Sequence, residues 1–192
     1  MGEVVLVQMS GLPGAGKTTV ARELVRCRRL VAIDRDVVLS AMLESGGVVG
    51  EETLAFARVA SYEVVKAMAD DVLGQGLGAI IDSPCFYDEL LVAGQALAAK
   101  HGVPYCYIEC ATEDIGLLDV RLRSRPALRS QRLSVDTPPV DLAADGQRNG
   151  FELFADSVAN MTRPDTYLRL DTTQPLDACV EQALSFLDRA TA

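Results

Sequence analysis

The chain has 192 residues, 49% hydrophobic and 23% charged, a length and balance that allow one complete α/β core. Its net charge is -9, and so acidic a surface repels a polyanion, which weighs against extended contact with nucleic acid. Five cysteines, an odd count without a C-x-x-C, and a single histidine argue against a disulfide framework, a zinc site and a Ser-His-Asp mechanism.

The apolar run Val4-Val5-Leu6-Val7 comes first, with no basic and apolar leader pattern before it. No apolar run reaches transmembrane length, so the expected location is the cytoplasm, with no membrane partner. Next stands Gly11-Leu12-Pro13-Gly14-Ala15-Gly16-Lys17-Thr18, which fits G-x-x-x-x-G-K-[ST] without a mismatch. A helix-compatible segment, Thr18 to Arg26, follows it. Strand, glycine loop and helix together are the context in which this motif binds a nucleoside triphosphate. The glycines let backbone approach a phosphate closely. The N–H groups from Gly14 to Thr18 form an anion nest at a helix N-terminus. Lys17 is expected on the β- and γ-phosphates, and the Thr18 hydroxyl on Mg2+. The expected nucleotide-binding set is Gly11, Pro13, Gly14, Ala15, Gly16, Lys17, Thr18 and Thr19.

Leu30-Val31-Ala32-Ile33 reads as a second, buried strand that ends in Asp34-Arg35-Asp36. Val37 to Leu43 reads as helix, and Glu44-Ser45-Gly46-Gly47 breaks it. Glu51 to Leu73 is the longest helical pattern, with Leu54, Val59, Tyr62, Val65, Ala69 and Val72 recurring at three and four. Gly78 to Asp82 reads as a third strand, followed by a helix from Phe86 to about Lys100. Val103 to Cys110 is a fourth strand. Thr112 is placed to cap a helix from Glu113 to about Arg121. Gly146 to Met161 reads as helical in part, Thr166 to Asp171 as a fifth strand, and Pro175 to Arg189 as a closing amphipathic helix. The alternation predicts a three-layer α/β fold: a five-stranded parallel sheet with helices on both faces, in a single domain over residues 1–192. Lys100-His101-Gly102 looks like a helix C-terminus, a structural place for the histidine.

Three other groups have the chemistry to face the loop. A hydroxyl that accepts a phosphoryl group needs a carboxylate to orient it and take its proton. That group should lie across from the loop at the end of a neighbouring strand, and Asp34 and Asp36 are placed to do so; one is expected to cap the next helix and the other to act. Asp82 ends a buried strand, where it could hold Mg2+ or contact the acceptor. Asp171, late in the chain, reads as a cap or a group near the nucleotide base. Arg121, Arg125 and Arg129 recur at four, which on a helix puts them on one face. They are expected on a lid over about 121–145, with Arg121 and Arg125 on the phosphates. The acceptor side is expected to involve Asp34, Arg35, Asp36, Asp82, Phe86 and Tyr87, between the 51–73 helix and the turn after the third strand.

Together the loop, Ala32-Ile33-Asp34-Arg35-Asp36, Ile80-Ile81-Asp82 and Arg121-x-x-x-Arg125 resemble the small P-loop kinases of the polynucleotide-kinase-like ATP-binding group. Chloramphenicol phosphotransferase and the zeta toxins are broader relatives of that group. The resemblance implies the P-loop NTPase fold, ATP and Mg2+, Asp36 as the base, and Arg121 and Arg125 as lid arginines. Two departures stand out. Val37, Val38 and Leu39 occupy the place of a substrate-phosphate arginine, and Ser83-Pro84-Cys85-Phe86-Tyr87 is more apolar than the matching segment of those kinases. Both point to a small-molecule hydroxyl acceptor: a metabolite, a nucleoside or an antibiotic. A polynucleotide 5′-hydroxyl kinase and an ATP-binding regulatory switch are the alternatives. ATP versus GTP, and a homodimer, stay open.

Overall fold

The computed structural model describes residues 4–46, 50–143, 154 and 161–192. Five strands form one parallel sheet: β1 (Leu6–Ser10), β2 (Leu30–Asp34), β3 (Gly78–Asp82), β4 (Tyr105–Ala111) and β5 (Leu168–Asp171). Their order across the sheet is β2-β3-β1-β4-β5. Parallel neighbours need crossovers, and helices provide them. Helix α1 (Lys17–Cys27) links β1 to β2. Helices α2 (Arg35–Ser45) and α3 (Glu51–Gly74) link β2 to β3. Helix α4 (Asp88–His101) leads to β4. Helices α5 (Ile115–Ser124) and α6 (Val140–Ala143) precede β5, and α7 (Leu176–Ala190) follows it.

The central strand is buried along its whole length, which is why it reads as an unbroken apolar run rather than an alternation. Its side chains still divide by the period of two. Val7 and Met9 pack with Val20 and Leu24 of α1, Leu118 of α5 and Ala183 of α7. Leu6 packs on the other face with Val65 and Ala69 of α3 and Ala98 of α4. A smaller cluster, Leu39, Leu43 and Ala57, pins α2 to α3. The expected three-layer α/β architecture, a five-stranded parallel sheet with helices on both faces, is the one observed.

Several expectations need correction in detail. Strand β2, with Asp34 at its end, is not a neighbour of β1; β3 lies between them. The cap of α5 is Asp114, whose Oδ1 accepts from the Leu117 N–H at 3.0 Å. Thr112 instead accepts from the Asp114 N–H at 3.1 Å, two residues before the cap. Helix α4 starts at Asp88, two residues past Phe86. Asp171 accepts from the Thr173 N–H at 3.0 Å and closes a turn ahead of α7. His101, by contrast, ends α4 as expected and bonds Asp70, a structural role. The helix expected over 146–161 and the last two residues of the expected lid fall outside the described residues, Phe154 and Met161 apart.

Candidate active site

The loop after β1 turns where only glycine fits. Gly11 has φ 125°, and a Cβ there would lie 2.1 Å from the Cys110 carbonyl oxygen. Gly16 caps α1 with φ 91°, and a Cβ there would meet nothing within 4 Å. That second fact is the informative one: the space in front of the helix start is open. The first turn of α1 carries no acidic side chain and no side-chain cap, so its free N–H groups face an anion-sized space. Lys17 folds back into the loop, where Nζ donates to the carbonyls of Gly11 at 2.8 Å and Leu12 at 3.0 Å. Burial pushes its pKa below the ordinary lysine value, while Asp82 and then Asp36 pull it up.

The two acids after β2 divide their labour. Asp34 caps α2, its Oδ1 accepting from the N–H groups of Asp36 at 2.9 Å and Val37 at 3.4 Å. Burial, followed by the charge of Asp36, raises its pKa. The Asp36 carboxylate is thereby released from capping; its Oδ2 accepts from Gln131 Nε2 at 2.9 Å. Asp82 pairs in register with Asp34 and is only 4% exposed. Burial pushes its pKa up to about 6, against the opposing pull of Thr18 and Lys17.

The arginines do not share a helical face. Helix α5 stops at Ser124, and Arg125 is extended, φ -93° and ψ 149°. The cause stands next to it: Pro126 bars the preceding residue from the helical region. Arg125 still reaches the site. Burial lowers its pKa, with Asp36 and Asp34 pulling the other way, and its Nε is buried with no hydrogen-bond partner among the described residues. Arg121, on α5, donates to the Thr172 carbonyl at 2.6 Å and to its hydroxyl at 3.2 Å. Arg129 turns the other way, to the Asp141 carboxylate and the Leu43 carbonyl.

These groups line one cavity of about 470 Å3. Pro13, Gly14, Gly16, Lys17, Thr18 and Thr19 form its floor, Asp34, Asp36 and Asp82 one side, and Arg121 and Arg125 the roof. Gly11 and Ala15, expected on the nucleotide, are buried behind the loop. Arg35, Phe86 and Tyr87, expected on the acceptor, lie outside the lining. The Arg35 guanidinium stacks 3.9 Å from the centre of the Tyr62 ring and donates to the Arg58 carbonyl at 3.1 Å. Tyr87 precedes α4 and is 53% exposed. Sequence reasoning missed Ser130, Gln131, Arg132, Thr172, Gln174 and Cys179, which also line the cavity. The first three sit within the arginine-rich stretch, so the signal was present but was read only for its charge.

No helix among the described residues is long and apolar enough to cross a membrane. A parallel sheet with a glycine loop leading into the first helix, and a lysine inside that loop, defines a P-loop NTPase fold and its phosphate cradle. The chain belongs to an AAA domain family, whose model matches residues 6–149. Among solved structures it is similar to Chaetomium thermophilum Kti12 in complex with ADP-AlF3 (18% identity, TM-score 0.65), covering 97% of this chain and 99% of that one. It is similar also to a gluconokinase from Sinorhizobium meliloti 1021 (13% identity, TM-score 0.64, covering 97% and 93%). A third likeness is to an unliganded sugar kinase from Janibacter sp. (19% identity, TM-score 0.62, covering 96% and 95%). At these identities the likeness is one of fold. No curated protein matches the chain.

Proposed function

We propose that this chain is an ATP-dependent kinase that transfers the γ-phosphoryl group to a hydroxyl of a small molecule. One observation carries the reading: the carboxylate of Asp36, freed from capping by Asp34, lines the same cavity as the loop lysine and Arg125. The acceptor hydroxyl gives its proton to Asp36 as its oxygen bonds to the γ-phosphorus. The bond from that phosphorus to the β,γ-bridging oxygen breaks, and ADP leaves with the electron pair. Lys17 leaves the loop carbonyls for the phosphate oxygens, and Arg125 and Arg121 carry the charge spread over them. The segment from Arg121 toward Asp141 serves as the lid. Thr18 and Asp82 offer hard oxygen donors lining the same cavity, a donor set that suits Mg2+. When bound there, Mg2+ neutralises charge on the β- and γ-phosphates.

The acceptor side of the cavity is polar. Asp36, Ser130 and Gln131 line it, with Pro84 beside them and the aromatic Phe86 and Tyr87 outside. Such a lining suits a small polyhydroxylated metabolite better than a nucleoside base or an aromatic antibiotic. Two proteins of like fold, a sugar kinase and a gluconokinase, agree in kind. The test is an ADP-release screen with Mg-ATP against sugars, sugar acids and polyols, followed by Asp36→Asn. That variant should keep ATP binding and lose about 10²- to 10⁴-fold in transfer. Unchanged turnover rules out Asp36 as the base.

A further inference from the structure

We propose that Gln131 is a positioning residue for Asp36, an inference that rests on the kinase reading above. A carboxylate has two oxygens and a soft final torsion, so a base that must meet one hydroxyl benefits from having the other oxygen held. Here Oδ2 of Asp36 accepts from Gln131 Nε2 at 2.9 Å. The amide is itself locked. Gln131 Oε1 accepts from the Leu128 N–H at 3.2 Å, which commits that atom as acceptor and Nε2 as donor. The Gln131 N–H donates to the Leu128 carbonyl at 2.9 Å.

The neighbouring residue grips the same aspartate from behind. The Ser130 hydroxyl donates to the Asp36 backbone carbonyl at 3.1 Å, and the Ser130 N–H donates to Ser40 Oγ at 3.0 Å. Arg129 ties this strap to the end of α2 through the Leu43 carbonyl at 2.7 Å. Residues 128–131 therefore fix both the backbone and one carboxylate oxygen of Asp36, and Oδ1 is left for the acceptor. The strap lies between Arg125 and Arg132, both of which line the cavity, so one segment bears phosphate-side charge and aligns the base.

The test uses the full chain and Mg-ATP hydrolysis, with water in the acceptor position. Gln131→Leu should lower kcat about ten- to hundredfold, as expected for losing a hydrogen bond to a charged group, with KM for ATP unchanged. In Asp36→Asn with Gln131→Leu, the rate should equal that of Asp36→Asn alone, because a positioning residue has nothing left to position. Gln131→Glu, of the same shape, sets a second carboxyl against Asp36. The pair then shares a proton, so its activity should fall as pH rises, relative to wild type. The inference is overturned if the Gln131→Leu loss multiplies with the Asp36→Asn loss, or if KM for ATP rises while kcat holds. A wild-type rate in Asp36→Asn overturns the base assignment instead, and that failure is told apart by appearing in the Asp36 variant alone.

Discussion

Asp34 and Asp82 stand opposite each other in register at the carboxyl ends of β2 and β3, and after burial the charge of Asp34 is what most raises the pKa of Asp82. The folded chain holds the Asp82 proton to about pH 6, whereas an ordinary aspartate loses it near pH 3.8. Between those values the folded state binds more protons than the unfolded one, so stability falls as pH rises through the interval. The cost is fully present above pH 6 and amounts to roughly 2–3 kcal/mol. Asp82→Asn should therefore be more stable than wild type near neutral pH, with a flatter pH dependence, while losing the Mg2+ dependence of ATP binding. Urea unfolding of the nucleotide-free protein across this range decides it; the same slope in both proteins refutes the assignment.

The neighbouring acids should separate stability from chemistry. Asp34→Ala removes the cap of α2 and should cost about 1 kcal/mol, whereas Asp34→Asn keeps a good capping group and most of the stability. Asp36→Asn should leave the melting temperature in place while transfer falls about 10²- to 10⁴-fold. Thermal melts beside activity assays read both. A drop in melting temperature for Asp36→Asn as large as that for Asp34→Ala would reverse the roles.

The loop glycines should respond unequally to the same substitution. In Gly11→Ala the new Cβ meets the Cys110 carbonyl oxygen at 2.1 Å, which backbone must move to relieve. A loss of about 3 kcal/mol or more is expected. In Gly16→Ala the Cβ meets nothing, and only the strain of φ 91° remains, about 1–2 kcal/mol, together with weaker ATP binding. Chemical denaturation of both variants tests the ranking, and a milder Gly11→Ala would contradict it.

On β4, the carboxylate of Glu109 is buried and takes two hydrogen bonds from the Arg163 guanidinium. Arg163→Leu would leave it without its cation. The expected loss is about 2–3 kcal/mol, below that for a fully buried pair, because the Arg163 side chain is 39% exposed. Arg163→Lys, which keeps a cation beside Glu109, should recover part of the loss. Urea unfolding of both variants tests this, and an equal deficit in the two would show that packing rather than charge is responsible.

The fold was legible because buried parallel strands read as short apolar runs and the glycine loop has a strict spacing. The strand order was not: nothing in Leu30–Asp34 says that β3 will come between it and β1. The floor of the site was legible for the same reason as the loop. Its roof was legible as charge but not as shape. The four-residue spacing suggested one helix through Arg129, and Pro126, in plain view, ends that helix before Arg125. Gln131 and Ser130 were invisible as site residues, since their importance arises from contacts with Asp36 more than 90 positions away. Arg35, Phe86 and Tyr87 neighbour the site in sequence, but none of them lines the cavity.

The strand order also acts as a ruler. Neighbouring strands stand about 4.8 Å apart, so with β3 inserted the tips of β1 and β2 are separated by about 10 Å. The phosphate cradle sits on the first tip and the carboxylate proposed as base rises from the second. A phosphorus atom in flight, together with the oxygen arriving and the oxygen departing, needs a gap of that order. Had β2 lain directly against β1, the acid would stand about 5 Å from the loop and the gap would close. The intervening strand thus sets the working distance between donor and acceptor, and its own terminal acid, Asp82, lies at the midpoint.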